Sequence, residues 1–154
     1  MPRAIRCSVL SGVALCAVLV GGVGIAQASD NTLRGTLNHY APKIVKDEKN
    51  VANGLLAYPK GKVKPLIRAL NHEVGDLHKL RSKLNHESAS SAKGRKAKKD
   101  IVRGLSLIAN AYGALRKDVQ DAHGGPVAKS KVNAAVATDK KGRKKLLAGL
   151  HLLA

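Results

Sequence analysis

Six histidines and ten carboxylates are the groups in this 154-residue chain that could hold a metal or move a proton. His72 and His86 each sit in the string Leu-Asn-His-Glu, and their offset of two heptads puts them on one helix face. At 1.5 Å of rise per residue they stand roughly 21 Å apart, too far to share an ion. His72 and Asp76, one turn apart, form one edge of a site at most, whereas zinc takes three or four ligands. The Glu-x-x-His pair of di-iron bundles is missing. No metal and no cofactor is therefore expected. Asp47 with Glu48, and Asp118 with Asp121, lie among basic residues at helix-surface spacing, so they read as solvated ion-pair partners.

Nucleophiles fare no better. Cys7 and Cys16 both precede residue 28, the serines gather in the polar joint Ser88-Ala89-Ser90-Ser91, and no Gly-x-Ser-x-Gly elbow is present. Gly61, Gly94 and Gly142 each stand beside lysines, but without the Walker spacing that would cradle a phosphate. No residue is assigned a catalytic role, and the chain reads as non-enzymatic.

What remains is electrostatic chemistry. Thirteen of the 28 lysines and arginines fall into three groups: Lys79, Arg81 and Lys83; Lys93, Arg95, Lys96, Lys98 and Lys99; and Lys140, Lys141, Arg143, Lys144 and Lys145. The middle group crowds the start of a helix, where each cation opposes the macrodipole at a cost of a few tenths of a kcal/mol. Such a cluster breaks a local rule, and these thirteen residues are the candidate anion-binding set.

Helices must position them. Ile101, Leu105, Ile108, Tyr112, Leu115 and Val119 step by four and three, the seam of a helix packed on other helices. Before it, Leu33, Leu37, Tyr40, Ile44, Val51 and Leu55 mark a first helix, with Pro42 predicting either a kink or the helix start. Asp30 or Asn31 is placed to cap it. Tyr58-Pro59-Lys60-Gly61 is a turn. A second helix carries Val63, Ile67, Leu70, Val74, Leu77 and Leu84, with Arg81 interrupting its seam; a serine of the following joint caps the third. His123-Gly124-Gly125-Pro126 stops the third helix. A fourth runs from about Val127 to Leu153, with Asp139 and Arg143 on its apolar stripe and Gly142 loosening its middle, either continuous or broken near Thr138. The triplets Lys60-Gly61-Lys62, Lys93-Gly94-Arg95 and Lys141-Gly142-Arg143 each precede an apolar run, and GLSLI from Gly104 matches GLHLL from Gly149. Their spacings are too irregular for a solenoid.

Four helices with short joints predict an all-α, antiparallel up-and-down four-helix bundle. Folded as hairpins, the three basic groups converge on one end, while Asp47, Glu48, Glu73, Asp76, Asp118 and Asp121 gather toward the other.

Ahead of the bundle, Arg3 and Arg6 precede an apolar run from Val9 to Ala26 that ends in Ala26-Gln27-Ala28, the pattern of a signal peptide over 1–28 cleaved between Ala28 and Ser29. A single N-terminal membrane anchor is the alternative reading of that run. The leader takes Arg3 and Arg6 with it, so the net charge of +18 becomes +16 over the remaining 126 residues, one domain spanning 29–154. That imbalance draws an exported protein to polyanions: an anionic cell-wall polymer, an anionic membrane surface, or nucleic acid without sequence discrimination. Three tyrosines are the only aromatics, so base stacking has little to build on. The expectation is a secreted or envelope-associated polyanion binder; the alternative is a structural or protein-partner-binding helical module.

Overall fold

The computed structural model describes residues 28–154, with side chains from residue 30 onward. The expected leader and its reading as an anchor lie outside the described residues. Four helices account for nearly all of the rest: α1 (Ala28–Ala57), α2 (Val63–His86), α3 (Ala92–Asp121) and α4 (Lys129–Leu153), with a 3-10 turn at Tyr58–Lys60 after α1. No strand occurs among the described residues. No described helix is long and apolar enough to cross a membrane.

The boundaries follow local chemistry. Gly61 closes the first turn in the left-handed region at φ 74°, its N–H bonding the Tyr58 carbonyl. Ser91 caps α3, its hydroxyl accepting from the Gly94 N–H at 2.7 Å. At the far end of α3 the chain reverses through His123 and Gly124, both at positive φ. Pro42 neither starts nor ends a helix. It sits exposed within a continuous α1, so the carbonyl it leaves unpaired one turn back lies on the wet side.

Consecutive helices pack antiparallel, α1 on α2, α2 on α3 and α3 on α4, and the last pair is by far the most intimate. The cause is a row of small residues every seventh position: Ala97, Gly104 and Ala111 on α3 face Ala135, Gly142 and Gly149 on α4, all buried. A Cβ on Gly104 would lie 2.6 Å from the Leu146 backbone nitrogen, and one on Gly149 would lie 2.8 Å from the Ala97 carbonyl oxygen. These are backbone-to-backbone approaches that only glycine permits. Gly142 therefore tightens α4 instead of loosening it, and α4 runs unbroken through Thr138 and Gly142.

The α2 seam is also turned relative to the expected one. Leu66, Leu70, Glu73, Leu77, Leu80 and Leu84 are its buried line, whereas Val63, Ile67 and Val74 are half-buried flanks. Arg81 accordingly lies beside the seam, its guanidinium donating to the Ser106 hydroxyl on α3 at 3.2 Å. Leucines from all four helices close the centre around a void of about 20 Å³, lined by Leu37, Ala41, Ile44, Glu48, Leu77, Leu80, Leu105, Ile108 and Leu146. That is room for a single water at most, not for a ligand.

Candidate functional site

The start of α3 explains how the crowded cations are tolerated. Asp30, in the first turn of α1 and 5% exposed, lays its carboxylate against Gly94 and accepts the Ser91 hydroxyl at 2.5 Å. An internal anion thus sits at the helix end where the dipole is positive. One member of the cluster answers the opposite dipole of α2, and a second binds the joint after it. The Lys98 ammonium donates to the Asn85 and Glu87 carbonyls at 2.9 and 2.7 Å, and Arg95 donates to the Ser90 carbonyl at 2.6 Å. Those partners carry no formal charge, so both cations keep theirs at the surface.

The carboxylates are arranged quite differently from the expected acidic end. Asp47, Glu73 and Asp76 are buried halfway along the bundle, and Glu48 is half-buried among them. Arg143 reaches into this interior from α4: Nη1 lies 2.9 Å from Glu48, Nε donates to Asp139 at 2.8 Å, and Nη2 donates to the Tyr112 hydroxyl at 2.9 Å. With its side chain only 13% exposed, Arg143 is withdrawn from the anion-binding set: it neutralises carboxylates inside and presents nothing outside. Burial alone would loosen its proton, but Tyr112, Glu48 and Asp139 hold the guanidinium charged.

Glu73 is fully buried, and neither carboxyl oxygen has a hydrogen-bond partner among the described residues. Desolvation first, then the neighbouring charges of Glu48 and Asp47, push it up to about 9 against the pull of Arg143, so it is a neutral acid at pH 7. Asp47 is raised as well, by burial and then by the hydrogen bond and charge of Asp76. Burial also works against Asp76, yet Lys79 at 3.1 Å and Lys43 at 3.6 Å hold that carboxylate below its usual range. Among the described residues no group of His, Asp or Glu side chains is arranged to hold a metal ion.

Placing the acids inside leaves the exterior almost purely basic. Among the described residues, which include all ten carboxylates, only Asp121 of the acids is exposed, whereas twenty lysines and arginines are. Within the expected set, Lys83, Lys93, Lys96, Lys99, Lys140, Lys141 and Lys144 are exposed and make no ion pair among the described residues. Lys79 is bound to Asp76, and Lys145 approaches Asp100 at 3.5 Å. That last contact, with Gly104 seated on Leu146, sets Lys140, Lys141 and Lys144 of α4 level with about residues 103–108 of α3, just beyond the Lys93–Lys99 cluster along the axis. Arg103, exposed at that level, was not among the expected residues.

Charge is not confined to one end, which corrects the electrically polar molecule expected from the hairpins. Lys60, Lys62, Lys64, Arg68 and Lys129 are exposed at or near the opposite end, where Asp118 and Asp121 are bound by Lys131 and Lys117. These lysines escaped notice because they are spread between a turn and two helix starts and never form a run. Leu56, at 56%, is the one large exposed apolar side chain among the described residues. Compared with protein-family models, curated proteins and solved structures, the chain finds no match in any of the three.

Proposed function

We propose that this is an exported, non-enzymatic protein that binds polyanions through a surface of lysines and arginines. The observation that carries the reading is the radial sorting of charge: twenty exposed cations stand against a single exposed carboxylate. A charge excess kept only for solubility does not require the acids to be drawn inside, where several lie buried at an energetic cost. The ligand would be an anionic cell-wall polymer, an anionic membrane surface or nucleic acid. Contact would be multivalent, salt-dependent and weakly selective, since all three tyrosines are at least partly buried and offer no stacking platform. A partner-docking apolar face, the other expectation, finds little support where Leu56 stands alone.

Retention of the mature chain on duplex DNA, anionic vesicles and wall polymer, measured as salt rises, tests the proposal. A log–log salt slope of about −4 or steeper on DNA is expected, from four or more phosphate contacts. Indifference to all three ligands at low salt sinks it.

A further inference from the structure

We propose that the protein bridges linear phosphodiester chains, holding two of them at once on opposite sides of the bundle. This rests on the polyanion-binding reading and adds the form of the partner and what binding accomplishes.

Helices α1 and α3 bury their apolar lines in one core cluster, Leu33, Leu37 and Ile44 with Ile101, Leu105 and Ile108, so side chains that face away from it on the two helices face away from each other. On α3, Lys96, Lys99 and Arg103 recur every three or four residues, on the side of the helix away from Ile101, Leu105 and Ile108. On α1, Lys46 and Lys49 lie away from Leu37, Ala41, Ile44 and Val51 in the same manner. All five are exposed, and none has an ion-pair or hydrogen-bond partner among the described residues.

Helix axes packed about a shared core lie about 9 Å or more apart, and outward lysines on both carry opposed charges to the order of 20 Å apart. At physiological ionic strength the Debye length is about 8 Å. Two polyanions on opposite sides are then more than two screening lengths apart, so salt weakens the repulsion between them. The protein itself supplies the cations that hold both.

This geometry favours a chain over a membrane. A bilayer is flat and meets the cations of one side, leaving the opposed set unused. Lipid binding by a helical surface also draws on inserted apolar area, and among the described residues Leu56 is the only large apolar side chain exposed. A phosphodiester strand can lie along each side without either demand.

The test uses the mature chain with two short DNA duplexes, one carrying a donor fluorophore and one an acceptor. Poly(glycerol phosphate) labelled in the same two ways forms a second arm, and phosphatidylglycerol–phosphatidylcholine vesicles a third. Bridging predicts energy transfer when nucleic acid or polymer is in excess, and its disappearance when protein is in excess and each chain is coated separately. Transfer with DNA alone or with poly(glycerol phosphate) alone names the source of the phosphodiester. A variant with Lys46, Lys49, Lys64 and Arg68 changed to glutamine strips the α1 and α2 sides; once unchanged helicity by circular dichroism is established, it should lose most of the transfer even at concentrations where it saturates single duplexes, whereas transfer undiminished at that saturation overturns bridging. Binding of single duplexes with no transfer at any ratio overturns bridging while leaving polyanion binding intact. Binding to vesicles but to neither chain overturns the choice of a linear partner. Binding to none of the three overturns both proposals.

Discussion

The carboxylate of Asp30 rests directly on the α-carbon of Gly94, so close that a Cβ there would come within 2.1 Å of Oδ1. This contact fixes the start of α1 to the start of α3 and supplies the negative charge that the N-terminus of α3 lacks in its own first turn. Gly94→Ala should displace Asp30 and cost about 1–3 kcal/mol despite alanine's better helix propensity. Ser91→Ala should cost about 1 kcal/mol, through the lost cap and the lost donor to Asp30. Urea unfolding of both variants checks this, and an unchanged midpoint for Gly94→Ala would show that the α1 start yields freely.

Two glycines of α3 offer an internal control on the α3–α4 seam. Gly104 abuts the backbone of α4, whereas a Cβ on Gly113 would meet nothing within 4 Å. Gly113→Ala should therefore stabilise by about 0.5–1 kcal/mol, the ordinary gain of alanine within a helix. Gly104→Ala should destabilise by about 1–3 kcal/mol, because helix α4 must move outward to admit the methyl group. The same chemical change with opposite signs, read from paired denaturation curves, isolates the close approach from helix propensity.

That seam also marks where the sequence was legible and where it was not. Four helices, their turns and the serine cap were written in apolar spacing and turn residues, signals that act locally. The pairing of α3 with α4 follows from the hairpin at Gly124, but its closeness does not, because that signal is smallness: Ala97, Gly104 and Ala111 recur every seven residues as plainly as any leucines, yet the spacing of large apolar side chains passes over them. The α2 seam was misphased for a related reason. Choosing Val74 over Glu73 honours hydropathy, and only the positions of Arg143 and the three other helices make a buried glutamic acid the better fit. Asp139 and Arg143 did stand out on an apolar stripe; what no local rule supplied was Glu48, ninety-five residues before Arg143 in the chain and 2.9 Å from it in space. The surface reading suffered correspondingly, since a polarised molecule was inferred from acids that the fold takes inside.

Glu73 should give stability a distinctive pH dependence. Its folded value of about 9 lies above the ordinary 4.5, so the native state holds a proton that the unfolded chain gives up. The stability this group contributes is fully present below about pH 4.5, declines as pH rises and is lost by about pH 9. Within that window the slope from this group approaches about 1.4 kcal/mol per pH unit. Glu73→Gln removes the titration while keeping the shape. The difference in unfolding free energy between the parent and Glu73→Gln, followed from pH 5 to pH 9, should move steadily in favour of the variant. A pH-independent difference would mean that Glu73 is ionised throughout and neutralised by Arg143.

Arg143 and Lys144 are adjacent in sequence and opposite in role, which allows the division between interior and exterior to be tested in a pair of variants. Arg143→Leu leaves Glu48 and Asp139 without their counter-charge in a largely dry setting and should cost about 3–5 kcal/mol. Because its side chain presents almost nothing to solvent, polyanion affinity measured well below the melting temperature should stay near that of the parent. Lys144→Gln removes an exposed cation with no partner among the described residues, so the thermal midpoint should hold while the salt slope on DNA becomes shallower by about one unit. Calorimetry and salt-dependent binding on the two proteins give four measurements, and the expected pattern is a crossover. If Arg143→Leu weakened DNA binding as much as Lys144→Gln without loss of stability, the guanidinium would belong to the surface after all and the acidic interior would need a different counter-ion.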